Sequence, residues 1–431
     1  MSRYDAIVIG GGHNGLTTAA YLAKAGKKVV VLEKRDVLGG VAAGEELASG
    51  FNTVGLLHDT SEVRKHVIVE LGLAKHGLKT SAVLAPVALL SNDGKGIVIS
   101  ADVDETANSI AQYSQKDAEA YVEYKKFMSK ISALIKDVFN EHPPDITSFD
   151  PKHLWPLARK GVALKRLGEK TMLELLRVTP MCVADYLNEY FVTDFLKAGL
   201  ACSAVGKSFT GPWSAGTCMN LLMHECLGGG VIDGGPQALI SALQKSCEAL
   251  GVEIKLSAGV EQILFADDSA NGVKLEGGDE IHANVVASSA TPKTTLLNMI
   301  QPNFIQYKLE NEVNNIRSRG IMAKLNLGLN KKPAFRYDPS SLVSFARTGH
   351  SIDEMEKAFD SVKYGKTSGQ PFYDIHVSES GNGFVLSAMI YFAPYNIEGG
   401  WTADSKNELQ EKVISALECY FENLSGSVEH S

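Results

Sequence analysis

The chain has 431 residues, 45% of them hydrophobic and 21% charged, which is ordinary for a globular enzyme and long enough for two domains, or three by length alone. A net charge of −8 argues against nucleic acid as a partner, and the six cysteines form no C-x-x-C pair, which argues against a zinc ribbon or a redox dithiol. There is no run of about 18 apolar residues and no signal-type apolar core, so neither a membrane span nor a secretory signal is expected, and the cysteines are expected to lie buried in a reducing, cytoplasmic setting.

The first forty residues hold the densest pattern. Tyr4 to Ile9 is a short, β-branched apolar run, as in a strand covered on both faces. Gly10, Gly12 and Gly15 follow at G-x-G-x-x-G spacing. Leu16 to Lys24 has helix-forming composition, with small Ala19 and Ala20 facing inwards, and Gly26 ends that helix. Val29 to Leu32 reads as a second strand. In such a unit Gly10 permits the tight turn, Gly12 leaves room for a pyrophosphate, and Gly15 lets the helix pack close to the strand. The phosphates would sit at the helix N-terminus, where His13 and Asn14 stand, on free N–H groups. Glu33 closes the second strand, 18 residues beyond Gly15. A carboxylate there accepts hydrogen bonds from a ribose and repels a 2′-phosphate. The plain alternative is a βαβ unit whose glycines serve packing only.

Glu33-Lys34-Arg35-Asp36-Val37-Leu38-Gly39-Gly40 then puts a Gly-Gly pair shortly after the acid. This resembles the second signature of the two-dinucleotide-binding-domain flavoproteins, a family that includes amine oxidases, phytoene desaturases and Rab GDP-dissociation inhibitors. The wording Gly10-Gly11-Gly12-His13-Asn14-Gly15-Leu16, followed by Leu38-Gly39-Gly40 and Glu45-Glu46, is most similar to the phytoene-dehydrogenase-related branch, of the pyridine nucleotide-disulfide oxidoreductase domain-containing protein 2 type. The resemblance implies FAD rather than NAD. It implies that Gly10, Gly12, His13, Asn14, Gly15, Glu33, Lys34, Gly39 and Gly40 hold the cofactor. Ser257 to Ile263 is similar to the family's adenine-side strand, where the backbone of Val260 would face the adenine. Residues 41–60 would pass beside the flavin, which makes His58 a candidate to shift its electronics or relay a proton. The alternative is a loop histidine with no chemistry.

Further on, Val83 to Leu90 and Gly96 to Ser100 read as strands around the turn Asn92-Asp93-Gly94. Lys116 to Asn140 reads as a helix whose stripe of Tyr121, Tyr124, Phe127, Met128, Ile131, Leu134, Ile135 and Val138 is core. His142-Pro143-Pro144 ends it. Between Trp155 and Val178, six cations stand against Glu169 and Glu174, among apolar residues such as Trp155, Leu164, Leu173 and Leu176. Such a segment either docks on an anionic membrane surface or is the solvated face of substrate-domain helices.

Ser214 to Glu225 resembles the same branch again, where this part lines the cavity over the flavin. His224 is therefore a candidate, and a satisfied core histidine is the alternative. His224 and Glu225 are adjacent, so on a helix they point about 100° apart and make neither a metal pair nor an acid–base dyad. Gly228 to Pro236 is glycine-rich but lacks the Lys-Ser/Thr of a phosphate loop. Gln237 to Leu250 reads as a helix and Val252 to Leu256 as a strand. A β-meander should turn at Asn271-Gly272 and at Gly277-Gly278. The small-residue run Val285 to Pro292 is similar to the family's crossing over the FAD. Ala323 to Leu329 and Phe384 to Phe392 read as strands, and Glu408 to Tyr420 as a helix. The family's chains continue into a Gly-rich segment that completes the flavin pocket; no such motif stands in about the last hundred residues, so this chain is expected to lack it.

The expected fold is α/β: a Rossmann-like FAD-binding domain with a β-meander, built from 1–70 and 231–292, with an inserted mixed α+β substrate domain over 71–230 and 293–420 and a tail at 421–431. The expected function is a phytoene desaturase-like, FAD-dependent oxidoreductase that takes a hydride from an apolar, isoprenoid-like small molecule. The alternatives are a flavin amine oxidase and a non-catalytic GDP-dissociation-inhibitor-like binding protein or inactive homologue. Neither a metal nor nucleic acid is expected. A peripheral membrane contact through 155–178 and a homo-oligomer stay open. No side chain announces itself as an acid or base.

Overall fold

A computed structural model describes residues 4–57, 59–81, 85–206, 208–228, 230–337 and 343–431. The chain divides into two compact units, the first from 1–46, 52–82 and 229–318, the second from 47–51, 83–228 and 319–431.

The first unit is built on a six-stranded sheet. Its order is Val260–Ala266, Ser269–Leu275, Glu280–Ser288, Tyr4–Ile9, Val29–Leu32, Glu253–Lys255. The last four run parallel, and the first two make the meander. Side chains alternate across the pleat. Ala6 and Val8 join Leu16, Ala19 and Ala20 of the helix His13–Lys24 and Leu239, Ile240 and Leu243 of the helix Gly235–Ala249. Ile7 and Ile9 face the other way, onto Val260, Ile263 and Val273. The unit reaches beyond the expected ends at 70 and 292 for physical reasons. Leu73 and Leu78 enter the first of these cores, and Met299 packs on the second, where its carbonyl accepts from the Ile263 N–H at 2.7 Å.

One turn differs from expectation. Asn271-Gly272 lies inside the strand Ser269–Leu275, and the first meander turn falls at Asp267 and Asp268, both at positive φ. Gly272 serves close approach instead: a Cβ there would stand 2.4 Å from the Ile281 carbonyl oxygen of the neighbouring strand. The second turn does fall at Gly277-Gly278, with Gly278 at φ +91.

The second unit carries a seven-stranded sheet in the order Val428–His430, Met322–Leu329, Gly383–Tyr391, Tyr373–Ser380, Phe345–Thr348, Val87–Leu90, Gly96–Ile99. The last two form the hairpin around Asn92-Asp93-Gly94. Leu327, Leu386, Ile375 and Ala346 share one face with Val413 and Leu417 of the helix Ala403–Leu417. On the long helix Gln115–Asn140 the expected stripe is buried except for Phe127, which is partly so, and Val138, which is exposed. Asp117 on the same helix is fully buried. Its carboxylate accepts from the Val192 and Thr193 N–H groups at 2.9 and 2.7 Å, at the start of the buried helix Asp194–Val205.

The segment 155–178 forms parts of two helices, Pro151–Arg166 and Glu169–Val178, broken where Gly168 takes φ +85. Much of its charge is spent inside the unit. Arg159 and Lys160 pair with Asp137 and Glu141, and Arg177 with Glu174 and Glu189. Five cysteines are buried as expected, but Cys419 is exposed, just past the end of the helix Ala403–Leu417. No described helix is long and apolar enough to cross a membrane.

Asp117→Ala leaves two part-buried N–H groups without their acceptor and should cost about 2 kcal/mol. Urea unfolding checks it: the midpoint falls with an unchanged slope, and Asp117→Asn, which keeps an acceptor, falls less.

Candidate functional site

The strand Tyr4–Ile9 ends where the chain must reverse into a helix. Gly10 takes φ +95, a region open to glycine. Gly15 is held tighter still, because a Cβ there would lie 1.9 Å from the Gly10 carbonyl oxygen. The helix His13–Lys24 therefore rests directly on the end of the strand. Gly12 caps it with no side-chain hydrogen bond and no acid in the first turn. Its amides and dipole are left for an anion. Gly12 has ordinary backbone angles, and a Cβ on it would meet nothing closer than 3.8 Å. A side chain is excluded here only if something else must occupy that space.

The second glycine pair joins this loop directly. Gly39 and Gly40 sit at φ +121 and +57, Gly12 and Gly39 form a parallel bridge, and the Gly39 N–H donates to the Gly11 carbonyl at 2.9 Å. The buried Glu33 carboxylate is aimed by backbone alone. It accepts from the Gly11 N–H at 2.6 Å and from the Arg35 N–H at 2.9 Å. Each oxygen keeps a further lone pair for a ribose hydroxyl. The strand that begins at Val260 is tied in through its approach, where the Ala258 N–H donates to the Glu33 carbonyl at 2.8 Å. His13 opens the helix half-buried, with burial lowering its pKa, and its Nδ1 is buried without a hydrogen-bond partner among the described residues. An unpaired nitrogen beside an uncapped helix start, with open space over Gly12, fits the pyrophosphate and ribose of FAD.

Asn14 is exposed in the first helical turn. Lys34 reaches Glu276 at 2.7 Å, an exposed pair. His58 lies outside the described residues. His224 sits half-buried on the helix Thr217–Leu227 of the second unit. The residue after it, Glu225, pairs with Lys125 at 2.7 Å. Burial raises the Glu225 carboxyl, but the Lys125 and His224 charges outweigh it and hold it below its ordinary value.

Sequence reasoning missed two contributors to this set and a polar row in the second unit. Gly11 donates to Glu33, and a Cβ on it would meet Leu38 at 2.5 Å. Ser289 donates to the Ile9 carbonyl at 3.0 Å and fills the space beside Gly10; the small-residue run around it was the available signal. In the second unit, the sheet face opposite Leu327 and Ile375 carries a half-buried polar row. Arg347 pairs with Asp374 at 3.5 Å, the Ser387 hydroxyl bonds to Asn326 at 2.7 Å, and Lys324 follows in register. Burial pushes the Lys324 ammonium down to about 8.

Comparison with known proteins places this geometry. The family described as flavin containing amine oxidoreductase matches residues 15–430. The pyridine nucleotide-disulfide oxidoreductase domain-containing protein 2 of Rattus norvegicus is 27% identical, over 99% of this chain and 80% of its own. One of the limonene dehydrogenase polypeptides of Castellaniella defragrans is 28% identical, over 97% of this chain and 79% of its own. The crystal structure of an oxidoreductase from Methanosarcina mazei shares the fold, with a TM-score of 0.59 at 15% identity, over 99% of this chain and 88% of that one.

Gly15→Ala should leave a chain that loses all flavin on desalting. Glu33→Ala should weaken FAD binding about tenfold or more, the loss of hydrogen bonds to a carboxylate. Flavin absorbance after desalting and titration with FAD measure both.

Proposed function

The chain belongs to the flavin containing amine oxidoreductases and is an FAD-dependent oxidoreductase, and from that premise we propose that it desaturates an apolar, isoprenoid-like substrate. The observation that carries the reading is an intact cradle for the adenosine half of FAD in a chain similar, over nearly its whole length, to a dehydrogenase named for limonene, a hydrocarbon. Desaturation takes a hydride from one carbon and releases a proton from its neighbour to solvent, and the electron pair of the broken C–H bond closes the double bond. FAD, when bound, supplies the hydride acceptor. This chain's part is to bind and orient. Glu33 holds the ribose, the helix His13–Lys24 offers its amides to the pyrophosphate, and Lys34 is held at Glu276. Electrons then pass to oxygen or a quinone.

Amine oxidation is the nearer enzymatic alternative. The family match includes amine oxidation by its description, and the reduction test below separates the two substrate classes.

The same reading includes contact with lipid. Among the described residues, seven exposed large apolar side chains fall between Ile146 and Leu176, with Phe149 at 90% and Trp155 at 74% exposure. Aromatic side chains of this kind favour the membrane–water interface. Because Arg159, Lys160 and Arg177 are internally paired, the contact leans on apolar side chains more than on charge.

The flavin-loaded chain, mixed anaerobically with limonene, should lose its flavin absorbance, and putrescine should leave it unchanged; bleaching by the amine alone would overturn the substrate class. Sedimentation with phosphatidylcholine–phosphatidylserine vesicles should carry the chain down and Phe149→Ser/Trp155→Ser should leave it in the supernatant. Failure of the unaltered chain to sediment at low salt would rule the contact out.

A further inference from the structure

We propose that the helix Val103–Ala111 guards one edge of the second unit's sheet, and that a ladder of side-chain hydroxyls keeps this edge from pairing with the same edge of another copy of the chain. The inference concerns assembly and does not rest on the redox reading.

The strand Gly96–Ile99 stands last in the order of the seven-stranded sheet, with the strand Val87–Leu90 as its neighbour on one side. In an antiparallel pair the N–H and C=O groups of alternate residues point away from the partner. Here the outward N–H groups belong to Gly96, Val98 and Ser100, and each ends on a hydroxyl. Gly96 donates to the Tyr113 hydroxyl at 3.2 Å, Val98 to Ser109 Oγ at 3.0 Å, and Ser100 to Thr106 Oγ1 at 2.9 Å. Left uncapped, such a row is a template for another strand.

The local sequence builds the ladder. Asp102 caps the helix, accepting from the Asp104 and Glu105 N–H groups at 2.8 and 3.1 Å, and the chain turns back along the strand it has just left. Thr106, Ser109 and Tyr113 are three and four residues apart, so they share one face. Alternate N–H groups on a strand recur about every 6.8 Å, whereas three or four helical residues advance only about 4.5–6 Å. The long Tyr113 side chain spans the shortfall at the far end, with its ring edge-on to Phe195 at 5.3 Å. Ile110 pins the helix, fully buried in one core with Ile97 and Leu89. Asp104 and Glu105 are exposed, so another copy would bring like charge against like.

Residue-resolved hydrogen exchange on the flavin-loaded chain reads the ladder directly. The Gly96, Val98 and Ser100 amides should exchange slowly. In Thr106→Val/Ser109→Ala/Tyr113→Phe each loses its acceptor and should exchange about tenfold faster or more. Ser109→Ala alone, a milder change, should speed the Val98 amide, and Ser109→Thr, which keeps the hydroxyl, should not. In sedimentation velocity the triple variant should associate reversibly, its mass rising with concentration where that of the unaltered chain stays constant. Val98→Pro, added to the triple variant, removes one outward N–H and should abolish that association. Association caused by unfolding would persist or grow with the proline, and that result would overturn the proposal. Fast exchange of the three amides in the unaltered chain, a Val98 amide indifferent to Ser109→Ala, or a folded triple variant of constant mass would each overturn it as well.

Discussion

The contact between Gly15 and the Gly10 carbonyl is the constraint on which the cofactor half of this molecule depends. Only hydrogen fits between them, since a Cβ would approach to 1.9 Å. That closeness sets the helix start at the very end of the central strand. Everything in the cradle is then placed by backbone: Gly11 aims Glu33, Gly39 bridges Gly12, and Ser289 locks the turn from the neighbouring strand. The result is a cluster of directed N–H groups and one carboxylate, with little side-chain freedom to lose on binding. Preorganisation of this sort lowers the entropic cost of holding a large, flexible dinucleotide.

The two units divide the chemical labour by composition. In the first, side chains near the glycine loop are small and the polar work falls to main-chain groups and Glu33. The second is an apolar body with a few half-buried polar groups on one sheet face. A flavin reaction asks its protein chiefly to bind, orient and exclude water, because the flavin supplies the electron acceptor.

The parts of the fold legible in the sequence were those where one local rule had no competitor. The first strand, the helix stripe from Tyr121 to Ile135 and the Gly277-Gly278 turn are of this kind. Asn271-Gly272 misled because a glycine can mark either a turn or a close strand approach, and only the position of Ile281 distinguishes the two. In the site, the glycine spacing and Glu33 were visible in the sequence. The run around Ser289 was visible too, but its contact with Ile9 and the Gly11 N–H bond to Glu33 were not, since they depend on groups that the fold brings together from distant positions. The pairing of Arg159 and Lys160 with Asp137 and Glu141 was likewise hidden, and it changes how the basic segment is read.

The central claim is that this chain holds FAD in the cradle around Gly12 and Glu33. The most direct measurement is the visible absorption spectrum of the purified chain after loading with FAD and desalting. A retained flavin band at one flavin per chain is the predicted result. A colourless chain that releases all added FAD, while still folded by circular dichroism, would contradict it.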